Sequence, residues 1–212
     1  MANLIFNYSA MNGGKTISLL QTAHSYEERG IKFILIKSLK DTKGEDSVLS
    51  RTMSKRKADI ILGDSDTLLK EEYYKMYYNV RLILVDEVEM LSVSQIEELW
   101  TIAHLINIPV ITYGLKSNFK GDIFSPGIGK LVALADEMKE VGSACLCACG
   151  KTATFNSRKV DDKFTLEGEV VVIDGVSSEV AYEPLCSDCY LKFLKLGSDP
   201  VIKLSNLIEK IK

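Results

Sequence analysis

The sequence has neither a long apolar run nor a block of basic residues. Its first apolar run, residues 4–6, is far shorter than a secretion signal or a membrane span, and no later stretch approaches the roughly eighteen apolar residues of a spanning helix. The formal net charge is −3 and the pI is about 5.6. We therefore expect a cytoplasmic protein with no membrane partner, and the charge balance disfavours nucleic acid as its main ligand.

Histidine is also scarce. The two histidines, His24 and His104, both lie in segments with a helical pattern and are far along the chain from the cysteines. A structural or surface role is the better interpretation of each. The chain has 212 residues, of which 46% are hydrophobic, so it can bury the core of one medium domain with a small appendage.

Short apolar runs alternate with helical patterns over residues 1–141. Residues 81–86 show no polar alternation, as expected for a strand buried on both faces. Gly30 is predicted to end the first helix, and Ser92 and Gln95 are predicted to form a capping box. The alternation predicts an α/β fold, a parallel sheet flanked by helices. In chain order the predicted strands and helices are residues 4–7, 16–29, 32–37, 59–62, 65–76, 81–86, 92–106 and 109–113.

A candidate phosphate site follows the first predicted strand and opens the first predicted helix, which is the context that a P-loop requires. Backbone N–H groups at a helix N-terminus form a cradle for phosphate. Lys15 adds a charge for the β- and γ-phosphates, and Thr16 offers a hydroxyl to Mg²⁺. Ser9 replaces the usual first glycine, which the turn tolerates if Ser9 keeps a negative φ. The predicted ATP-binding residues of this loop are Ser9, Ala10, Met11, Asn12, Gly13, Gly14, Lys15 and Thr16.

The apolar strand at residues 82–85 ends in two acids. A strand of this kind that ends in Asp86 is typical of a Walker B element, so we assign Asp86 to ATP and, with Thr16, to magnesium. Glu87 is the candidate catalytic residue, because consecutive residues at a strand end face different directions. In a kinase it would accept a proton from a substrate hydroxyl, whereas in an ATPase it would orient water. The spacing alone leaves both reactions open.

The five cysteines form two close groups near the C-terminus. In a reducing compartment such groups indicate metal rather than disulfides, and four thiolates satisfy a closed structural Zn²⁺ site. Cys145 is a competing ligand for the first pair. A closed site has no open coordination position, so we expect zinc to clamp the ends of residues 150–185 rather than to act in catalysis. The predicted zinc ligands are Cys147, Cys149, Cys186 and Cys189.

The sequence thus predicts three parts. Residues 1–141 form a P-loop α/β domain, and residues 142–193 form a small zinc-binding unit with short β segments at 163–169 and 169–174. Residues 194–212 form a C-terminal helix or tail, and the apolar and basic pattern of this helix begins at about residue 190.

The chain resembles the thymidine kinase family of the cellular, zinc-containing type over roughly residues 3–193. The loop at 9–16 matches G-P-M-F-S-G-K-[ST], and residues 86–90 are similar to D-E-x-Q-F. Residues 113–124 are very close to Y-G-L-R-x-D-F-x-x-x-x-F, and residues 40–42 resemble the segment that follows the family's second strand. The paired cysteines also fit.

This resemblance implies transfer of the γ-phosphate of ATP, with Mg²⁺, to the 5′-hydroxyl of thymidine, with Glu87 as general base. It also implies a lasso loop in the zinc unit that closes over the nucleoside, a homotetramer, and inhibition by thymidine triphosphate. The nucleoside-binding residues that it implies are Met11, Asp41, Met90, Leu115, Phe119, Phe124, Val172, Ile173, Asp174, Gly175 and Tyr182.

Four residues depart from the family pattern, and the first is Ser9 in place of glycine. Glu89 replaces glutamine, Met90 replaces an aromatic residue, and Asp174 replaces glycine. We expect the added carboxylate of Glu89 to affect the titration of Glu87 by like-charge repulsion.

Two alternatives to a thymidine kinase stay open at this point. One is a kinase of broader pyrimidine deoxynucleoside specificity, because a methyl group in an apolar pocket is worth only about 1–3 kcal/mol. The other is a P-loop ATPase with a zinc ribbon that binds single-stranded nucleic acid, which requires a basic groove with stacking aromatic residues.

Overall fold

The computed structural model describes residues 2–42, 44–50, 54–142, 145–170 and 180–197. These residues form two compact units. The described residues of the first unit come from Met1–Ser9, Gly13–Lys116 and Ile123–Ser143. Those of the second unit come from Ala10–Asn12, Ser117–Asp122 and Ala144–Lys212. Ala10–Asn12 and Ser117–Asp122 thus belong to the second unit, although the residues on either side of each segment belong to the first. The predicted domain boundaries at residues 141 and 193 stay predictions.

The first unit is built on a parallel sheet. Its elements in chain order are β1 (Leu4–Tyr8), α1 (Lys15–Glu27), β2 (Ile34–Ser38), β3 (Ser47–Leu49), β4 (Lys55–Lys57), β5 (Ile60–Leu62), α2 (Glu71–Tyr77), β6 (Ile83–Val85), a 3₁₀ turn (Val88–Met90), α3 (Val93–Thr101), a π-helical turn (Ile102–Ile106), β7 (Val110–Gly114), α4 (Pro126–Leu134) and β8 (Glu137–Glu140). The strand order is β5-β2-β6-β7-β1-β8, and every neighbouring pair is parallel. Strands β3 and β4 form a separate antiparallel hairpin.

Apolar side chains cover both faces of this sheet. Ile34 and Ile36 of β2 belong to a buried cluster that includes Leu99 of α3. Leu35, between them in the sequence, belongs to a second cluster that includes Leu19 of α1. Since successive strand residues face opposite sides, helices pack on both faces, which explains the continuous apolar strands. The predicted α/β architecture is confirmed.

Two helix predictions need correction. The helix predicted at residues 65–76 begins only at Glu71, because the Glu98 carboxylate binds the preceding residues in a non-helical conformation. Its carboxylate accepts from the Thr67 hydroxyl at 2.6 Å and from the Leu68 N–H at 2.7 Å. The helix predicted at residues 92–106 continues beyond Thr101 as a π-helical turn. The sequence analysis did not predict α4 or β8.

The described residues of the second unit form a three-stranded antiparallel sheet and one helix. The elements are β9 (Phe155–Val160), β10 (Lys163–Thr165), β11 (Val180–Leu185) and α5 (Ser187–Gly197), and the strand order is β10-β9-β11. The Phe155 ring stacks on the Tyr190 ring with a centroid distance of 4.5 Å. Only residues 163–165 of the predicted β segments form a strand up to residue 170, and residues 171–174 lie outside the described residues.

The C-terminal helix predicted from about residue 190 corresponds to the end of α5, and residues 198–212 lie outside the described part of the chain. None of the helices in the described ranges combines the length and the apolar character that crossing a bilayer requires.

Gln95 ties α3 to the loop before α2. The Ser92 hydroxyl accepts from the Gln95 N–H at 3.3 Å, and the Gln95 side chain accepts from the Ser92 N–H at 3.0 Å, which confirms the predicted capping box. The Gln95 amide also donates to the carbonyls of Gly63 at 2.8 Å and Asp66 at 2.9 Å.

Replacing Gln95 by alanine removes half of the capping box and leaves two carbonyls without their donor. We expect the free energy of unfolding to fall by about 2–4 kcal/mol. Gln21→Ala makes the same change on an exposed position of α1, where the effect should stay within about 0.5 kcal/mol. Urea unfolding of both variants measures this, and equal losses in the two would contradict it.

Candidate functional site

The loop at residues 9–16 connects β1 to α1 and has the backbone of an anion cradle. Asn12 and Gly14 adopt left-handed conformations, with φ of 63° and 82°. Gly14 caps α1 without a side-chain hydrogen bond, so the first N–H groups of α1 are left for an anion. Ser9 does not adopt a positive φ, as the substitution of the usual glycine requires. The predicted loop geometry is therefore present.

Gly142, just after β8, approaches this loop closely. A Cβ at Gly142 would lie 1.3 Å from the carbonyl oxygen of Gly13, and the φ of Gly142 is +75°. The preceding Val141 N–H donates to the Tyr8 carbonyl at 2.9 Å. Only glycine fits at this position. The sequence analysis missed Gly142, because a single glycine after a strand gives no sign of which distant segment it contacts.

Charged side chains gather where β6 ends. Asp86 and Lys15 are buried, and the Asp86 N–H donates to the Ile36 carbonyl at 3.0 Å, which extends the pairing of β6 with β2 by one residue. Burial raises the pKa of Asp86 to about 8, with contributions from the charges of Glu87 and Asp41 and opposition from Lys15. These four charged residues therefore act on one another in a single site. Carboxylates at the carboxyl edge of a parallel sheet suit a magnesium ion that also binds phosphate oxygens.

Lys37 positions Asp41. The Lys37 side chain is fully buried, and its Nζ lies 3.1 Å from Oδ2 of Asp41. The same ammonium group donates to the carbonyls of Glu45 at 3.1 Å and Ser47 at 2.9 Å. A buried charge requires such partners. The sequence analysis treated Lys37 only as the end of a strand, although a lysine that closes an apolar strand was a usable signal.

Glu87 has a strained backbone. Its φ is 46° and its ψ is 48°, a left-handed conformation that costs a non-glycine residue about 1–3 kcal/mol. The conformation turns the chain from β6 into the 3₁₀ turn. Glu87 is half-buried, whereas Asp86 is buried. Such strain persists where the surrounding structure fixes it, and it is common at active sites.

Other predicted nucleoside-binding residues of the first unit are mostly covered. Leu115 is buried, and Met90 and Phe124 are half-buried. Phe124 packs against the main core cluster, so part of its surface is structural. Their role in nucleoside binding stays a prediction. Val172, Ile173, Asp174 and Gly175 lie outside the described residues.

In the second unit, Phe119 and Tyr182 lie together. Their ring centroids are 6.4 Å apart, and the guanidinium carbon of Arg158 lies 5.4 Å from the centroid of Phe119. Nη1 of Arg158 donates to the carbonyls of Glu167 at 3.3 Å and Glu169 at 3.0 Å. Arg158 thus holds residues 167–169 beside an aromatic pair. Neither the spacing nor the resemblance pointed to Arg158.

Asn156 joins two distant segments of the second unit. Its Oδ1 accepts from the Met11 N–H at 2.7 Å, and its Nδ2 donates to the Ser117 carbonyl at 2.9 Å. Asn156 and Arg158 lie two residues apart on β9 and therefore share one face of the strand. The sequence analysis missed Asn156 as well, because its partners are remote in the sequence.

The four predicted zinc ligands form one cluster. Their sulfur atoms all lie within 4.8 Å of one another, and a tetrahedral zinc ion with Zn–S bonds of about 2.3 Å requires S···S distances of about 3.8 Å. Burial opposes ionisation of Cys147, but backbone hydrogen bonds from Cys149 and Cys186 lower its pKa to about 6. The four-sulfur donor set and the spacing of its atoms fit a structural metal ion such as zinc.

Cys145 lies outside this cluster. Its thiol donates to the Met11 carbonyl at 3.2 Å, which assigns it a bond to the phosphate loop. Of the two candidates, Cys147 and not Cys145 belongs to the sulfur cluster, which favours the predicted ligand set.

Residues 2–190 match the family model described as thymidine kinase. The chain belongs to the thymidine kinase family. It is 37% identical to the thymidine kinase of Enterobacteria phage T4 over 163 residues, which is 76% of this chain and 83% of the relative. The thymidine kinase of Mesorhizobium japonicum is 36% identical over 175 residues, 82% of this chain and 85% of the relative. That of Shewanella oneidensis is 35% identical over 196 residues, 92% and 99% of the two chains.

Likeness to solved structures is weaker. A Bacteroides Pif1 bound to single-stranded DNA aligns with a TM-score of 0.37 and 11% identity, over 66% of this chain and 38% of that chain. A likeness at that level supports no conclusion about this member of the thymidine kinase family.

Gly142→Ala tests the contact behind the phosphate loop. The added methyl must displace the Gly13 carbonyl, and we expect the affinity for Mg·ATP to fall by about 100-fold, as a displacement of about 1 Å can cause. Gly30→Ala is the matched control, because Gly30 has a φ of +65° and no heavy atom within 4 Å of an added Cβ. It introduces the same backbone strain and should leave affinity unchanged. Equilibrium nucleotide binding decides between the two, and equal losses would exclude the contact.

Metal analysis tests the cysteine cluster. Purified protein should contain about one zinc ion per chain, and Cys186→Ser should lose it. Cys145→Ser should keep the metal, because Cys145 is outside the cluster. Metal-free active protein, or loss of zinc in Cys145→Ser, would contradict this assignment.

Proposed function

We propose that this protein transfers the γ-phosphate of ATP to the 5′-hydroxyl of thymidine, giving thymidine monophosphate for nucleotide salvage. The observation that carries the proposal is the group of Lys15, Asp86 and Glu87 at the carboxyl edge of the sheet, in a chain that belongs to the thymidine kinase family. In this proposal Glu87, whose backbone is left-handed, is the proton acceptor, and the neighbouring buried Asp86 is the metal ligand.

Each group has one task in this reaction. The N–H groups of the phosphate loop and the ammonium of Lys15 bind the triphosphate. Thr16 and Asp86 hold magnesium, which when bound offsets the negative charge of the β- and γ-phosphates. Glu87 accepts the proton of the 5′-hydroxyl while that oxygen bonds to the γ-phosphorus, and the bond from the γ-phosphorus to the oxygen of ADP breaks. Catalysis here depends on position and electrostatics.

The thymine ring packs among apolar and aromatic groups in this proposal. The half-buried Tyr182, packed against the buried Phe119, supports that assignment because an aromatic face accepts a planar base. The other residues to which the proposal gives nucleoside contacts are Met11, Asp41, Met90, Leu115, Phe124, Val172, Ile173, Asp174 and Gly175. The last four lie outside the described residues, and the resemblance assigns them to the lasso, a loop whose role is to exclude water so that ATP is not hydrolysed.

We propose four further properties, which the resemblance to the family implies. The enzyme carries zinc for structure, works with Mg²⁺, assembles as a homotetramer and is inhibited by thymidine triphosphate. A cytoplasmic location suits the free thiols of the cluster, since that compartment keeps cysteines reduced.

Product analysis tests the function. The protein is incubated with Mg²⁺, ATP labelled at the γ-phosphate, and thymidine, deoxyuridine or deoxycytidine in turn. We expect label in thymidine monophosphate at the highest kcat/KM. Comparable labelling of deoxyuridine would favour the broader pyrimidine kinase, and release of phosphate with no labelled nucleotide would favour an ATPase.

Glu87→Gln tests the general base. The amide cannot accept the proton, so kcat should fall by about 10²–10⁴-fold while Mg·ATP affinity stays near wild type. Glu72→Gln changes an exposed glutamate of α2 and should be fully active. Steady-state kinetics and nucleotide binding measure both effects, and a near-normal kcat for Glu87→Gln would remove Glu87 from this role.

A further inference from the structure

Glu89 is a buried acid that the reaction scheme does not use. It lies in the 3₁₀ turn, two residues after Glu87, and is 2% exposed. Within the described ranges, neither of its carboxyl oxygens has a partner at hydrogen-bond geometry, and both are closed off from solvent. An ionised carboxylate is strongly disfavoured in such surroundings.

In the described part of the chain, no cation lies at hydrogen-bond geometry to the Glu89 carboxyl. On β7, a Cβ at Gly114 would lie 2.3 Å from Oε2 of Glu89, so the absence of a side chain at Gly114 makes the room for this acid. At the start of α4, the Ser125 hydroxyl donates to the backbone carbonyl of Glu89 at 2.9 Å rather than to its carboxyl. The first turn of α4 contains no acidic residue. The site is therefore shaped for the side chain but leaves its carboxyl unpaired.

Two charged groups act on Glu89, namely Glu87 from its own turn and Lys15 from α1. Burial raises the pKa of Glu89 well above its ordinary value, Glu87 raises it further through its charge and the close approach of the two carboxyls, and Lys15 opposes both. The approach of Glu87 stops short of hydrogen-bond geometry at the Glu89 oxygens. A neutral Glu89 has one O–H group to donate, and the Glu87 carboxyl is close enough to influence it.

We propose that Glu89 is a positioning residue that remains a neutral acid and directs its O–H toward Glu87. This inference rests on the proposed role of Glu87 as general base. A neutral donor at this place keeps the Glu87 carboxylate in one orientation without adding a second negative charge beside the triphosphate. A charged Glu89 would do the opposite, because two adjacent carboxylates repel each other and the phosphates.

The proposal predicts a pH dependence of kcat that arises from the Glu89 carboxyl. When Glu89 loses its proton, the positioning bond is lost and a like charge is added, so kcat should fall about tenfold per pH unit on the alkaline side. Glu89→Gln has nearly the same shape, stays neutral and still donates from its amide. Its kcat at neutral pH should be within about threefold of wild type, and its alkaline decline should be absent.

Stability gives a readout that is independent of activity. Glu89 binds its proton more tightly in the folded than in the unfolded chain, so the folded state holds more protons above the unfolded pKa of about 4.3. Stability contributed by the proton is therefore present at low pH and is lost as the pH rises toward the folded pKa. Glu89→Gln lacks this loss, and its Tm advantage over wild type should widen by about 5 °C or more between pH 5 and 8.

The experiment uses ligand-free wild type, Glu89→Gln and the exposed control Glu72→Gln. Thermal unfolding from pH 5 to 8 and kcat for thymidine from pH 6 to 10 are measured on each. A widening Tm difference for Glu89→Gln alone, with loss of its alkaline limb, is the expected result. NMR titration of glutamate side chains labelled with ¹³C in wild type reads the protonation of Glu89 directly, whether or not the variant folds.

Each other outcome overturns the proposal in a distinguishable way. A constant Tm difference and an ionised Glu89 at pH 7 would show that the acid is not neutral. A widening difference with superimposable pH profiles would show a buried acid that does not act on Glu87. A widening difference without phosphorylation of any nucleoside by wild type would remove the proposed function and, with it, the positioning role.

Discussion

The concentration of acidic residues at the end of β6 is the constraint on which the rest of the structure depends. Asp86, Glu87 and Glu89 lie within residues 86–89, and two of them are buried. Buried acids in such number are tolerated only with cations, ligands or retained protons. Lys15 supplies a cation, and Lys37 holds a further acid, Asp41, by a direct ion pair. The site is thus arranged for a polyphosphate with its metal ion, which brings both signs of charge.

Two glycines are as important to this arrangement as the charged side chains. Gly114 admits the Glu89 carboxyl and Gly142 admits the carbonyl of Gly13, in each case at a distance that a methyl group would prevent. Gly114 ends β7, and Gly142 lies two residues after β8. Both strands pair with β1 in the sheet. The parallel sheet therefore positions the site by its strand order as well as by the residues that it carries.

Features that depend on residues close together in the chain could be predicted from the sequence. Features that depend on contacts between residues far apart in the chain could not. The P-loop, the acid pair after β6, the capping box of Ser92 and Gln95 and the cysteine cluster all depend on residues close together in the chain or on recurring pairs. The contacts of Asn156 with Met11 and of Gly142 with Gly13 join residues more than a hundred positions apart. The start of α2 was predicted too early for the same reason, since Glu98, thirty residues away, binds the Leu68 N–H and keeps it out of the helix.

Three residues of the phosphate loop, Ala10–Asn12, pack with the zinc unit rather than with the sheet. Ala10 belongs to its apolar core, and the Met11 backbone is bound by Asn156 and Cys145. The predicted phosphate loop thus includes residues that belong to the same compact unit as the cysteine cluster. Replacing the residues of the second unit would therefore also change the partners of Ala10 and Met11 in the loop after β1.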